Sequence, residues 1–372
     1  MTILHITNWY PNFKNPTSAL WIKRHIESLP IDCINKIYHL EVRKGRLGIQ
    51  FGRNQDGSYY RIFNIPILFW RFIELISFTT ILFILWSNRK SKIDIINFHI
   101  AYPNCTYVNI IRNLVKCPIV ITEHWSGYHY NFNISDPKKR KNIQRIFHNN
   151  IPVITVSKAL RKDIEKFSSA KFPGYIVYNI VNTSIFHYAS HKKYSNSYLM
   201  IGQWKWPKDP FTVVKAWSLL LEHIPKAVLK IGGYGQQYDQ LKDLIIDLRL
   251  QNNVFLIGLL NSNEIAHELQ KSRAFIHCSE YETFSVVCAE ALCCGTPVIA
   301  SKVGGIMEYV NDSNGILVED NDPNSFLASI LKFEDKYRSF DRIKNSEEAI
   351  SQFRQKKVGM DYFSALNEVI SH

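Results

Sequence analysis

Short, nearly apolar runs recur along this chain, separated by stretches in which apolar residues return at helical spacing. In the first half the runs are Ile3 to Thr7, Ile93 to His99, Ile119 to Thr122, Val153 to Val156 and Tyr175 to Tyr178. In the second they are Tyr198 to Ile201, Ala227 to Ile231, Val254 to Ile257, Ala274 to His277 and Pro297 to Ala300. Strand alternating with helix predicts an α/β chain with two open parallel sheets. The polar stretch His187 to Ser197 is the expected hinge between residues 1–186 and 198–349. Ligands of such sheets bind at the carboxyl ends of the strands, which predicts a site in the cleft between two domains. There is no internal repeat and no low-complexity tract.

The most apolar segment, Ile62 to Trp86, is interrupted by Asn64, Pro66, Arg71 and Glu74. The longest uninterrupted part is about 12 residues against the roughly 20 that a spanning helix needs, so a transmembrane span is not expected. Two readings remain: a core helix of an α/β domain, or an interfacial helix with aromatic anchors and flanking Arg and Lys. The charge balance bears on the second. Residues 1–190 carry 25 Lys plus Arg against 10 Asp plus Glu, or +15, whereas residues 191–372 carry 20 against 22, or −2. A field confined to one half attracts an anionic surface, either nucleic acid or the acidic inner leaflet of a membrane. The run Lys138 to Lys141 adds to such a surface or is a solvated helix end.

At 372 residues and 46% apolar, the chain can fill two substantial cores, at roughly 150 residues per domain. Seven cysteines without metal-ligand spacing argue against a disulfide framework. Cys293 and Cys294, adjacent in an expected buried helix, read as core residues in a reducing compartment. MTILHITNWYP reads as a buried strand and loop rather than a signal segment, so a cytoplasmic protein is expected.

The chemistry concentrates in residues 281–310, YETFSVVCAEALCCGTPVIASKVGGIMEYV. If the VVCAEALCC run is helical, Glu282 falls at or before the helix start and Glu290 further along, so one carboxylate meets a ligand at the mouth and the other its flank. Thr283 and Ser285 are N-capping types, and the free N–H groups of the first turn form an anion site suited to a diphosphate. Gly295 is expected to end the helix, and Gly304 and Gly305 to form a strand-to-helix turn.

This segment resembles the donor-site signature of the retaining glycosyltransferases of family 4, in which two glutamates separated by seven residues precede a Cys-Gly-x-Pro-Val strand and a Gly-Gly turn. The resemblance extends over most of the chain. LMIGQWKWPKDPFTVVKAW is similar to the family's first strand and phosphate-binding basic pair, VLKIGGYG to its glycine turn and NVFLIG to its next strand. VYNIVNTSIF resembles the interdomain segment, and HITNWYPNFKNPTSALWIKRHIESL the amino-terminal strand, loop and helix. It implies the GT-B architecture, two Rossmann-like domains with parallel sheets facing across a cleft. It also implies a last helix, residues 350–372 with Phe353, Tyr362 and Phe363, that returns to the first domain.

By resemblance, Lys208 clamps the donor diphosphate together with the backbone around Gly233 and at Thr283, Phe284 and Ser285. Gln203 occupies the position of the family's arginine, so the charge there is lost and Lys205 is a substitute. Glu290 binds the ribose hydroxyls; Glu282 binds the donor sugar and stabilises positive charge in the transition state. The leaving phosphate itself deprotonates the acceptor, so no obligatory metal and no other cofactor is implied. In the first domain the resemblance gives His124 a contact near the reacting centre, with Glu123 and His99 as acceptor or second-layer residues. The loop Tyr10 to Ser18 is expected over the phosphates or the acceptor, with Thr17, Ser18 and Ala19 where relatives carry glycine.

The expected activity is therefore retaining transfer from a nucleotide-diphosphate sugar to a saccharide or lipid-linked saccharide acceptor in surface polysaccharide or glycan assembly. The expected partners include the anionic inner membrane surface, met peripherally, and no nucleic acid. The alternative is a non-catalytic nucleic-acid or anionic-membrane binder on a degenerate GT-B scaffold, though the basic residues form no nucleic-acid motif. A Rossmann oxidoreductase is excluded because Gly232, Gly233 and Gly235 lack the full Gly-x-Gly-x-x-Gly spacing. A glycogen-phosphorylase-like enzyme would need a cofactor lysine arrangement that is not found.

Overall fold

A computed structural model describes residues 1–12, 18–132, 134–190 and 196–371, with the side chain of residue 131 excluded. Thr17 and most of the Tyr10–Ser18 loop, and residues 191–195 of the expected hinge, lie outside the described residues. The chain forms two units, Met1–Asn179 with Lys356–His372, and Ile180–Gln355.

The first unit runs β1 (Thr2–Thr7), α1 (Leu20–Glu27), β2 (Ile34–Lys44), β3 (Gly48–Arg53), β4 (Tyr59–Ile65), α2 (Ile73–Ser87), β5 (Ile95–His99), α3 (Val108–Leu114), β6 (Ile119–Glu123), α4 (Pro137–Phe147), β7 (Val153–Thr155), α5 (Lys158–Ser168) and β8 (Gly174–Ile176). Its sheet has the order β3-β4-β2-β1-β5-β6-β7-β8 and is parallel except for β3. β1, β5 and β6 are almost wholly buried, as strands covered on both faces must be.

The hairpin of β3 and β4 and its neighbour β2 were not expected from the sequence. The burial of β3 alternates, and in β2 charged residues are interleaved among the apolar ones, so no continuous apolar run announces them. The apolar segment expected as one helix from Ile62 to Trp86 is divided. Ile62–Ile65 completes β4, Ile67–Phe72 is a 3-10 segment, and α2 follows.

The second unit continues β9 (Ser197–Gln203), α6 (Pro210–His223), β10 (Val228–Tyr234), α7 (Tyr238–Asp247), β11 (Val254–Gly258), α8 (Ser262–Lys271), β12 (Phe275–His277), α9 (Val286–Cys293), β13 (Val298–Ser301), β14 (Gly315–Val318), α10 (Pro323–Lys336) and α11 (Arg342–Phe353). Its six strands are all parallel in the order β11-β10-β9-β12-β13-β14. This is the doubly wound order 3-2-1-4-5-6, whose strand direction of progress reverses between β9 and β12. A core that includes Trp217, Leu229, Ile231, Ile276 and Phe333 fills the space between sheet and helices.

The last helix, α12 (Gln355–Ser371), packs into the first unit. Its Tyr362 hydroxyl is held by Asn97 and Thr122 at the centre of the first sheet. Gly359 permits its approach to α1, since a Cβ there would lie 2.2 Å from the Ser28 carbonyl. Phe353, expected on this returning helix, instead belongs to the second unit, where its ring packs edge-on against Phe284 and Tyr309. Val181 pairs with the same segment through the Phe353 carbonyl. The division therefore falls at residues 179/180 rather than at 187.

Candidate active site

In the second unit the loops leaving β9 and β12 meet at the strand-order reversal. Lys208, five residues beyond the end of β9, forms a one-residue bridge with Ser279 beyond β12. Its ammonium lies against the Glu282 carboxylate and 3.1 Å from His277 Nε2; Nε2 is in turn 3.0 Å from Glu282 Oε1. Burial lowers Lys208 to about 8, with smaller opposing contributions from Cys288 and Cys278. His277 is driven well below the usual imidazole range, first by burial and then by the Lys208 charge. The site thus holds a neutral imidazole against a single ion pair. His277 was not singled out in the sequence, where it looks like the last residue of a core strand.

The Glu282 loop is held by its backbone. Ser279 donates its N–H to Ser301 Oγ and its carbonyl accepts from Asn321 Nδ2, both at 3.0 Å. Gly305 donates to the Glu282 carbonyl at 3.0 Å, and Gly304, at φ 51°, lies so close that a Cβ would fall 1.7 Å from that oxygen. The expected glycine turn is therefore a buttress for Glu282.

Thr283 lies in the bend before α9, and Phe284 is 1% exposed, so the latter offers a ligand only its backbone. Ser285 does not cap α9 as expected. It sits in the left-handed region at φ 64°, with Oγ 3.4 Å from His277 Nε2 and 3.2 Å from Cys288 Sγ. Glu290 lies one turn into α9 and is 9% exposed. Gln203 ends β9 with its side chain exposed, and Lys205 is also exposed. Gly233, at φ 126°, passes the Gly202 carbonyl so closely that a Cβ would lie 1.9 Å from it.

In the first unit, His99 ends β5 and His124 follows β6, at the carboxyl edge beside the reversal between β1 and β5. His5 Nδ1 is 3.1 Å from His99 Nε2. The His124 ring stacks near His99 at 6.5 Å and lies 5.3 Å from His25, whose Nε2 is 2.8 Å from the Tyr178 carbonyl. Burial lowers all four, His5 and His25 to about 4 and His99 and His124 well below the usual range. His124 would therefore act as a neutral hydrogen-bonding group.

Glu123, expected beside it as an acceptor-side residue, is fully buried, and its carboxylate is occupied. Oε1 accepts from the N–H groups of His124 and Trp125, both at 2.9 Å; Oε2 accepts from Ala101 N–H at 2.8 Å and the Tyr128 hydroxyl at 2.6 Å. Such a carboxylate pins the His124 loop rather than meeting an acceptor. Ser18 is half-buried in the turn before α1, and Ala19 holds φ 50°. The backbone thus keeps a glycine-type conformation there at a strain of roughly 1–2 kcal/mol.

Two Rossmann-like units, one with a lysine–glutamate pair at its reversal point, define the GT-B class. Residues 45–185 match the model of Glycosyltransferase Family 4, and residues 184–351 that of Glycosyl transferases group 1. An uncharacterised glycosyltransferase of Methanocaldococcus jannaschii is 27% identical over 247 residues, 66% of this chain and 66% of that protein. The UDP-Gal:alpha-D-GlcNAc-diphosphoundecaprenol alpha-1,3-galactosyltransferase of Escherichia coli is 30% identical over 178 residues, covering 46% of this chain and 43% of that protein. HepE of Anabaena, solved in complex with UDP, superposes with a TM-score of 0.75 at 16% identity, over 99% of this chain and 100% of that one. The chain belongs to glycosyltransferase family 4, also described as glycosyl transferases group 1, a family of retaining, metal-independent enzymes that use nucleotide-sugar donors.

Proposed function

We propose that this protein transfers a glycosyl residue, with retention, from a nucleoside-diphosphate sugar to a saccharide carried on a lipid, in the assembly of a surface polysaccharide or related glycan. The observation that carries the donor half is the Lys208–Glu282–His277 cluster at the reversal point of the second sheet. Lys208 and the uncapped backbone before α9 neutralise the diphosphate. Glu290 binds the ribose, and Glu282 holds the sugar hydroxyls and the positive charge that develops at the anomeric carbon. The bond from that carbon to the β-phosphate oxygen breaks and a bond to the acceptor oxygen forms on the same face. The acceptor proton passes to the departing phosphate oxygen. His124 contributes a neutral hydrogen bond near the sugar. Binding of UDP by HepE and the UDP-galactose donor in the name of the E. coli relative favour UDP as the nucleotide.

The lipid half rests on α2. This helix turns Ser77 and Thr80 towards the protein with Ile73, Ile81 and Ile84, and leaves Leu75, Phe83 and Trp86 exposed. The helical stretch Ile67–Ser87 is long and apolar enough by composition to cross a bilayer, and its most apolar 18-residue window has a mean hydropathy of 1.9 with only 28% of it buried. That burial weighs against the core-helix reading. Arg61 lies over Phe83 at 4.2 Å and Arg89 over Trp86 at 4.3 Å, an aromatic and basic rim suited to an anionic membrane interface. Peripheral attachment to the cytoplasmic face of the membrane follows from this reading.

The test is a thermal-shift screen against UDP, GDP, ADP and CMP with and without EDTA, followed by assay of transfer from the matching sugar nucleotides. A ligand bound only by the folded state raises its stability. An EDTA-insensitive shift with one nucleoside diphosphate is expected; no shift with any of them would overturn the donor assignment.

A further inference from the structure

Beside the apolar face of α2 lies a cavity of ≈ 460 Å³. Its lining comes from the end of the 3-10 segment and the first turn of α2, from Thr106 and Tyr107 just before α3, and from α4, elements that the chain enters from the carboxyl ends of β4, β5 and β6. This is the sheet edge that also carries His99 and His124. Three cations converge on the cavity, Arg71, Lys138 and Arg145, and none is ion-paired with a described carboxylate. One carboxylate, Glu74, also lines it. Both Glu74 oxygens accept from Asn142 Nδ2 at 2.9 Å. The lining therefore has a surplus of two positive charges. The volume falls in the range of about 300–1,000 Å³ usual for small-ligand sites. At its rim, Phe72 and Leu75 are exposed, and Ile67 and Leu68 beyond them are more than 70% exposed.

A basic pocket opening onto an apolar surface matches a ligand with a multiply charged head and a hydrocarbon tail. We propose that this cavity receives the diphosphate of the lipid that carries the acceptor saccharide, its hydrocarbon chain lying against Ile67–Phe72 and the outward face of α2. The inference rests on the lipid-linked acceptor reading above and deepens it by assigning the head-group site. The choice of a lipid diphosphate over bulk phospholipid follows from charge. A phosphodiester, whether in a phospholipid or in a lipid monophosphate that carries a sugar, brings one negative charge, whereas a diphosphate linking lipid to saccharide brings two and can engage all three cations through charge-assisted hydrogen bonds.

Flotation with two sets of phosphatidylcholine vesicles of equal total negative charge tests this. One set contains phosphatidylglycerol and the other a long-chain polyprenyl diphosphate. The wild-type protein is expected to bind the second at least tenfold more tightly. With roughly fivefold in affinity per basic residue near a lipid surface, the triple substitution Arg71→Gln, Lys138→Gln and Arg145→Gln should cut binding to the polyprenyl diphosphate set by on the order of a hundredfold and abolish the preference. Equal binding of the wild type to both sets would overturn the proposal, as would a preference that survives in the triple variant. The nucleoside diphosphate thermal shift, read on both proteins, keeps the outcomes separate. Its retention in the variant shows that the fold and donor site are intact, and its absence from the wild type would count against the transferase reading alone.

Discussion

Replacing Gly304 by alanine should disable the proposed donor site from behind. At φ 51° the residue occupies the left-handed region, and its added Cβ would lie 1.7 Å from the Glu282 carbonyl oxygen and 2.8 Å from its carbon. These are backbone atoms, so no side chain can swing away. The left-handed strain costs roughly 1–2 kcal/mol and the forced displacement about 1–3 kcal/mol more. Together they give roughly 2–5 kcal/mol, with Tm falling by about 2–4 °C for each kcal/mol in a domain of this size. Gly258 supplies the control. Its φ is 71°, yet a Cβ there meets nothing within 4 Å, so Gly258→Ala should show the strain alone, roughly 1–2 kcal/mol. The Gly304 variant should also lose activity beyond its stability loss, because moving Glu282 by about 1 Å is worth on the order of a hundredfold in rate. Paired melts and single-turnover transfer from the sugar nucleotide measure both effects. Equal melting points for the two alanine variants, with near-normal transfer by Gly304→Ala, would refute the buttress.

Because burial lowers Lys208 to about 8, nucleoside diphosphate affinity should decline as pH rises through that value. The anion selects the protonated lysine, so above pH 8 binding must take up a proton, at a cost of up to about tenfold in Kd per pH unit; Lys208→Met should bind weakly with no such slope. Glu123→Gln should lower stability by about 2–4 kcal/mol, because an amide donor then faces groups that themselves donate. Sugar-nucleotide turnover per folded molecule, measured below the transition, should fall less than in Glu282→Ala. Replacing Leu75, Phe83 and Trp86 together by serine should leave the melt nearly unchanged, since these side chains are exposed, and should release the protein from anionic vesicles in a sedimentation assay.

The local parts of this design are readable in the sequence. Short apolar runs located the inner strands of both sheets, and the Glu282–Glu290 spacing marked the loop that meets Lys208 and His277, because each lies within a few residues of chain. What escaped was set by long-range pairing. His277 meets Lys208 only because β9 and β12 are neighbours in the sheet, which brings residues 69 positions apart into contact. Glu123 looked available because its four hydrogen-bond donors come from a turn and from the loop after β5, which no spacing rule connects. β2 and β3 hid behind polar alternation, and Ser285 behind a left-handed backbone that its residue type does not announce.

The seating of α12 against the first sheet separates the order of synthesis from the order of completion. Residues 1–179 leave the ribosome first, but the position that Tyr362 fills between Asn97 and Thr122 stays empty until the whole of residues 180–355 has been made. During that interval the nascent first unit exposes a polar notch and the apolar surface that Val358, Leu366 and Val369 later cover. A released chain truncated after residue 355 should therefore be protease-sensitive in residues 1–179 and protected in residues 180–355.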